Sequence, residues 1–215
     1  LPNQSPKKWR SHLRQAVAKT PDHISAYSLT IEPATSFFKL QERGRLHLPA
    51  EDIQLEMFQD TIETLQSAGY EQYEISNYAQ PGFKSRHNLN YWDNGEYLGL
   101  GAGASSYING ERYKNTNLPT RYIREVQSEG SAVESTEKLD LLHAMGETIM
   151  LGLRHIKGIA IEDFENRFQV SFKKVYGKVI DPLLKEGLIT FNNNRMALSR
   201  KGLYIADSVI LKFLA

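Results

Sequence analysis

The sequence contains no cysteine among its 215 residues. This absence excludes disulfides, thiolate zinc sites, cysteine nucleophiles and cysteine-ligated iron–sulfur clusters within the chain. No apolar run approaches the roughly 20 residues that a membrane-spanning helix needs. The charges nearly balance, with 26 Lys and Arg against 25 Asp and Glu and a net charge of +1. Such a balance argues against a strong global field toward nucleic acid or acidic lipid.

What is present is a globular composition, with 40% hydrophobic and 10% aromatic residues. Early in the chain, helical and strand patterns alternate, which favours parallel strands joined by crossover helices in an α/β sheet or barrel. Helices are predicted over 5–19 and 51–68, and strands over 23–31 and 70–75. Residues 76–117 are rich in Gly, Asn, Ser and Tyr, which predicts functional loops and a hairpin with an Asn-Gly turn.

From Leu118 onward the pattern is mostly helical, and a polar linker over 128–135 interrupts it. The predicted elements that follow are helices over 137–153, 161–168 and 172–185, strands over 188–191 and 196–198, and a last helix from Ser199 to Phe213. This order is typical of a winged-helix-like module, a fold that does not fix function. We therefore predict two domains, 1–117 and 118–215. The second carries a scattered excess of basic residues, which leaves DNA binding as an alternative.

The densest cluster of reactive side chains is His87-Asn88-Leu89-Asn90-Tyr91-Trp92. An imidazole can ligate a metal or a haem iron through one nitrogen. The aromatic rings of Tyr91 and Trp92 could stack on a flat macrocycle. The alternative is a polar loop whose Asn side chains form turns and whose Trp fills a local core. The residues alone leave both interpretations open.

A second candidate is the glycine-rich run over residues 99–106. It either cradles a phosphate or cofactor, or packs closely against a neighbouring segment. It is not a Walker loop, because no Gly-Lys-Ser/Thr follows. Two carboxylates, Glu71 and Glu74, are expected to be solvated. Four histidines lack a partner at metal-ligand spacing and are expected to be structural or exposed: His12, His47, His143 and His155.

Several segments together resemble the HemW-type haem chaperones. That family is a branch of the radical S-adenosylmethionine (SAM) proteins, beside oxygen-independent coproporphyrinogen III oxidase. The segments that carry the resemblance are 1–5, 23–33, 70–79, 87–92 and 97–104, with 150–154 and 187–189 also fitting. The resemblance implies an α/β fold, the distal half of a TIM-like radical SAM barrel over 1–117. A mostly α, winged-helix-like C-terminal domain would follow it.

The resemblance also implies site residues. They are His87, Asn88, Tyr91 and Trp92 for haem, with His87 as the iron ligand, and Thr30 and Ser105 for S-adenosylmethionine. Ser105 departs from the family pattern, since many relatives have histidine there. Ser85 stands where relatives often have cysteine. No catalytic residue is implied within this chain.

Family members carry a CxxxCxxC motif whose thiolates hold a [4Fe–4S] cluster. This chain begins with Leu1 rather than Met and is expected to follow that motif, so the cluster and S-adenosylmethionine are expected only of a longer parent. The implied function is a cytoplasmic haem chaperone that delivers haem to acceptor proteins and binds no nucleic acid. Two further associations stay open. One is with a separate N-terminal half, and the other is peripheral association with a membrane. The alternatives are a coproporphyrinogen oxidase-like enzyme and a winged-helix binding module.

Overall fold

The computed structural model describes residues 1–214. The chain divides into two compact units, Leu1–Ser85 and Arg86–Ala215. The predicted domain boundary at 117/118 falls inside the second unit and stays a prediction. None of the helices within residues 1–214 combines the length and the apolar character needed to span a bilayer.

The first unit combines helices with a small sheet. Its elements are α1 Pro6–Val17, β1 His23–Ser25, α2 Ser36–Glu42, α3 Glu51–Ser67, β2 Glu71–Gln72 and β3 Asn77–Ala79. Helix α1 begins as predicted, because the Ser5 hydroxyl accepts the N–H of Lys8 and Pro6 occupies the first helical position. It packs against α3, where Trp9 Nε1 donates to Met57 O at 3.0 Å and to Thr61 Oγ1 at 2.9 Å.

The sheet of the first unit has the order β1-β3-β2, and both pairs are antiparallel. The predicted parallel pairing is therefore wrong for these strands. The cause is a tight turn over residues 73–76, where the carboxylate of Glu74 accepts the N–H of Ser76 at 3.0 Å and an amide N–H of Asn77. This turn reverses the chain between β2 and β3, and β1 pairs with the other edge of β3. The predicted strand over 23–31 shortens to β1, because residues 26–31 form no strand ladder within the described chain.

The second unit begins with α4 Arg86–Trp92, a helix where a loop was predicted. Strands β4 Ser105–Ile108 and β5 Glu111–Asn115 form the hairpin that was predicted here. The predicted hairpin turn at Asn109 and Gly110 is confirmed, with φ values of 53° and 75° that suit a two-residue type I′ turn. Strand β6, Val133–Lys138, extends this sheet where a linker was predicted. All six of its side chains are exposed, so it carries no alternating pattern.

The rest of the second unit surrounds a sheet with the antiparallel order β7-β9-β8. The elements are α5 Pro119–Glu129, α6 Leu141–Gly152, β7 Ile159–Ala160, α7 Ile161–Phe168, α8 Phe172–Lys185, β8 Ile189–Asn192, β9 Arg195–Leu198, α9 Arg200–Tyr204 and α10 Ala206–Leu211. The predicted bounds of α7 and α8 are confirmed. The predicted last helix is two helices, because Ile205 leaves the helical region at φ −125° and ψ 36°.

The core of this part of the chain is aromatic. Phe164, Phe172 and Tyr176 are each at most 5% exposed. The rings of Phe164 and Phe172 meet edge-on with centroids 4.9 Å apart, and Tyr176 contacts Phe213 at 5.7 Å. Such pairs add about 0.5–1.5 kcal/mol each beyond the burial of area. The cluster therefore fixes α7, α8 and the end of the chain to one another.

Candidate functional site

Helix α4 carries the HNxxYW signature. Residues four apart share one face of a helix, and the rings of His87 and Tyr91 meet edge-on with centroids 4.8 Å apart. Tyr91 in turn contacts Tyr97 at 4.5 Å. His87 is exposed, and within residues 1–214 no hydrogen bond or ion pair engages its imidazole. Both ring nitrogens are therefore available to an external ligand.

The aromatic row that starts at His87 ends on a buried anchor. Tyr97 contacts Tyr107, whose centroid is 6.4 Å away. Tyr107 is 8% exposed, and its hydroxyl accepts a hydrogen bond from Arg167 Nη2 at 2.9 Å. The row thus connects an exposed imidazole to the interior of the second unit.

The other residues of the signature lie on different faces of α4. Asn90 Nδ2 donates to Glu96 O at 3.0 Å and secures the turn after the helix. The indole ring of Trp92 lies under the guanidinium of Arg154, 4.6 Å from the ring centroid. Asn88 is half-buried. The structure brings His87 into ring contact with Tyr91, while Trp92 lines a cavity of its own.

The glycine-rich run is a packing segment. A Cβ on Gly99 would stand 2.1 Å from the carbonyl oxygen of Ser105, so only glycine allows this approach. The amides of the run donate internally: Gly99 to Ser106 Oγ, Gly101 to the Tyr122 hydroxyl and Gly103 to Thr116 O. Amides with internal partners are not free to cradle a phosphate. Of the two interpretations that the sequence left open, the structure favours close packing.

The two residues expected near S-adenosylmethionine lie in different units, Thr30 in the first and Ser105 in the second. Thr30 is exposed and lines a cavity of about 470 Å³ whose walls also include Trp9, His12 and Tyr27. Ser105 begins β4, is half-buried and pairs with Lys114 across the hairpin. Their roles stay predictions.

A second cavity, of about 310 Å³, lies in the second unit and was not indicated by the sequence. Its wall includes His155, which is 3% exposed and whose Nε2 lies 2.9 Å from Asp93 Oδ1. Burial lowers the pKa of His155 below its ordinary value, and the carboxylate of Asp93 opposes that shift. The two residues are 62 positions apart, so no local spacing could have found the pair.

The two carboxylates near β2 differ in environment. Glu71 is exposed, in agreement with its predicted solvation, and its carboxylate forms a salt bridge with Lys84 at 2.6 Å. Glu74 is 0% exposed, so its predicted solvation is wrong. Its carboxylate closes the turn into β3. Burial, with the charge of Glu74 nearby, raises the pKa of Tyr78 above its ordinary value.

Metal ligands are sparse in this chain. Among residues 1–214, no group of three or more His, Asp or Glu side chains is placed to hold a metal ion. With no cysteine in the sequence, the chain offers no thiolate set for an iron–sulfur cluster. A haem iron is a different case, because the porphyrin supplies four ligands and the protein needs to add only one.

Comparison with known proteins finds one family model and several similar proteins. A family model described as the HemN C-terminal domain matches residues 139–205. The "Heme chaperone HemW" of Lactococcus lactis is 38% identical over 100% of this chain and 56% of its own length. Its namesake in Bacillus subtilis is 34% identical with the same coverage. The mouse protein "Radical S-adenosyl methionine domain-containing protein 1, mitochondrial" is 32% identical over 100% of this chain and 51% of its own.

The fold has a counterpart among solved structures. Coproporphyrinogen III oxidase (HemN) from Escherichia coli, described as a radical SAM enzyme, superposes with a TM-score of 0.76 at 19% identity. The match covers 99% of this chain and 52% of that one, and it shows the fold alone. The chain likewise spans about half the length of the curated relatives it matches. Along its whole length, the chain is homologous to the HemW haem chaperones, and it carries the HemN C-terminal domain.

Proposed function

We propose that this chain is a haem-binding portion of a haem chaperone and that haem binds at helix α4. Haem is the cargo here, delivered to acceptor proteins. Homology to proteins named heme chaperones over the whole chain supports the proposal. The observation that carries it is the exposed His87 imidazole, which has no hydrogen bond or ion pair within residues 1–214 and whose ring meets Tyr91 edge-on.

The chemistry of α4 suits an axial ligand. A neutral imidazole donates a nitrogen lone pair to a haem iron. The ring contact with Tyr91 restricts the rotation of His87, so less side-chain entropy is lost when iron binds. Tyr91 and Tyr97 offer ring surface to the porphyrin. Asn88 and Trp92 support this site from the adjoining face, where Arg154 covers the indole ring.

The relatives imply S-adenosylmethionine and a [4Fe–4S] cluster for the parent protein. A chain without cysteine holds no such cluster by thiolates, so we assign it no radical step. Thr30 stands at a cavity whose wall combines aromatic rings with hydroxyl and amide groups, a mixture that suits a nucleoside. We assign Thr30 to S-adenosylmethionine contact there. We assign Ser105 to S-adenosylmethionine contact as well, on the family resemblance alone.

We further propose that residues 1–117 form the distal part of a radical SAM barrel and that residues 118–215 form a winged-helix-like domain. In the latter, α7 and α8 precede the β8–β9 hairpin, which would be the wing. Its turn residues Asn193 and Asn194 both have positive φ, as a two-residue turn requires. This tight wing carries a single basic residue, Arg195, so a packing role is favoured over DNA binding.

A haemin titration tests the proposal. The purified chain is expected to bind haemin in a 1:1 ratio with a shifted Soret band. His87→Ala should weaken binding at least tenfold, about 1.4 kcal/mol. His143→Ala removes an exposed histidine of α6 and is the matched control, which should bind like the unmodified chain. An unchanged Soret band and affinity in His87→Ala would show that His87 is not the ligand.

A further inference from the structure

The second cavity shares Trp92 with the proposed haem site but extends away from the His87 ring. It has a volume of about 310 Å³, and its walls include Trp92, His155, Lys157, Arg167 and Arg195. His87 and Tyr91 are not among its lining residues. Its chemistry therefore needs an explanation of its own.

Two ring nitrogens at this cavity are buried without a hydrogen-bond partner among residues 1–214, Trp92 Nε1 and His155 Nδ1. The indole N–H is only a donor, so it needs an acceptor. His155 Nε2 lies 2.9 Å from Asp93 Oδ1, and a carboxylate accepts from a nitrogen that bears hydrogen. In the neutral ring, Nδ1 then carries the lone pair and needs a donor. An occupant that satisfies both nitrogens must accept one hydrogen bond and donate another.

The cationic side chains at the cavity have no carboxylate partners. Lys157, Arg167 and Arg195 form no ion pair within the described chain. Arg195 donates to the carbonyl oxygens of Lys157 at 3.1 Å and Gly158 at 2.6 Å. Arg167 donates to the carbonyl oxygen of Asn94 at 3.1 Å. Both guanidinium groups are thus held in place by neutral acceptors, and their charges stay available to an anion.

Helix α7 adds its N-terminus to the same cavity. Its N-cap residue, Ala160, lines the cavity and provides no side-chain capping bond. The N–H of Ile161 donates to Asn194 O at 3.0 Å, and the positive end of the helix dipole favours an anion there. Two carboxylates also line the cavity, Asp93, which His155 engages, and Asp163, in the first turn of α7. Against three cations they leave the lining net positive.

We propose that this cavity binds a phosphate group, either inorganic phosphate or the phosphate of a small monoester. Hydrogen phosphate offers oxygens to Trp92 and the cations, and a hydroxyl to His155 Nδ1. Sulfate has the same shape but no proton at neutral pH, and acetate lacks the hydroxyl when ionised. The cavity should therefore prefer phosphate to both. This assignment does not depend on haem binding.

The test uses the indole N–H signals of the intact chain in two-dimensional nitrogen–proton NMR. The sequence has two tryptophans, so Trp9, whose indole donates to Met57 O and Thr61 Oγ1, is an internal control. The titration is run near pH 6.5, where inorganic phosphate carries at least one proton and a monoester, whose second pKa is about 6, is still partly protonated. Phosphate should shift the Trp92 signal saturably and leave that of Trp9 in place. Sulfate and acetate should bind more weakly.

A charge-reversed variant links the signal to the cavity. Lys157→Glu should weaken phosphate binding at least about tenfold, because the change replaces an attraction by a repulsion at the wall of the cavity. Lys174→Glu, the same change at an exposed position of α8, should leave the affinity unchanged. A parallel titration with glycerol 3-phosphate distinguishes the two sources of phosphate. Tighter binding than that of inorganic phosphate indicates a monoester as the occupant, and no binding indicates free phosphate. No Trp92 shift, sulfate binding as tight as phosphate, or equal affinity in Lys157→Glu would overturn the proposal.

Discussion

Gly99 shows how much a single residue determines in this chain. Gly99→Ala is expected to lower the free energy of unfolding by about 1–3 kcal/mol, the usual cost of overpacking. The reason is that the added Cβ would meet the backbone oxygen of Ser105 at 2.1 Å, and a backbone atom cannot rotate away. Urea unfolding followed by circular dichroism measures the change.

A second glycine provides the control for that substitution. Gly177 lies within α8, where a new Cβ would meet only Lys173 Cγ at 3.8 Å. Gly177→Ala should therefore stabilise the chain, by about 0.5–1 kcal/mol. If Gly99→Ala were as stable as the unmodified chain, the close packing of the glycine-rich run would be wrong.

His155 gives the stability of the chain a pH dependence. Burial holds its pKa in the folded state below the ordinary value of 6.5, so the unfolded chain binds the proton more readily. The stabilisation is then complete above the unfolded pKa and is lost as the pH falls below it toward the folded value. We expect the free energy of unfolding to decrease from pH 8 to pH 5. His155→Gln should show a smaller decrease, and an equal decrease in both proteins would contradict this assignment.

At the residue scale, the sequence made the HNxxYW signature visible because its chemistry is concentrated in six consecutive positions. It did not reveal the environments of His155 and Glu74. His155 meets Asp93 only through the tertiary fold. Glu74 lies among alternating Tyr, Glu and Gln residues that look half-solvated, yet its carboxylate closes a buried turn.

At the scale of elements, local signals predicted best where the chain has a cap, a tight turn or a clear helical period. The start of α1, the hairpin turn after β4 and the bounds of α7 and α8 all follow from caps, turns and helical periodicity. Strand β6 escaped prediction because it buries no side chain. Helix α4 escaped because Asn and His are modest helix formers and the helix is only seven residues long. Strand direction in the first sheet depends on the turn at Glu74, which periodicity does not report.

The packing of α7 against α8 depends on the aromatic core. Phe172 is 2% exposed and meets Phe164 edge-on. Phe172→Ala is expected to cost about 3–5 kcal/mol of unfolding free energy, as is usual for a truncated buried aromatic residue. The control is Phe191→Ala in β8, where the side chain is 41% exposed and the loss should be much smaller. Equal losses in thermal or urea unfolding would argue against this cluster as the core.

At the scale of the whole molecule, the chain is two compact units that span about half the length of its relatives. The absence of cysteine gains meaning at this scale. It prevents cluster ligation by cysteine in this chain, while a relative that the chain half covers, the mouse protein, is named for a radical S-adenosyl methionine domain. The proposed haem site and the proposed phosphate site both lie in the second unit, on residues after Ser85. Each can therefore be tested with this chain alone.

The most direct test of haem binding is to identify the atom bound to the iron. Resonance Raman spectra of the reduced, haem-loaded chain can be compared with and without nitrogen-15 labelled histidine. Ligation by His87 predicts an iron–nitrogen band that shifts with the label, is absent from His87→Ala and persists in His143→Ala. A label-sensitive band that survives in His87→Ala would contradict the assignment of the haem site to α4.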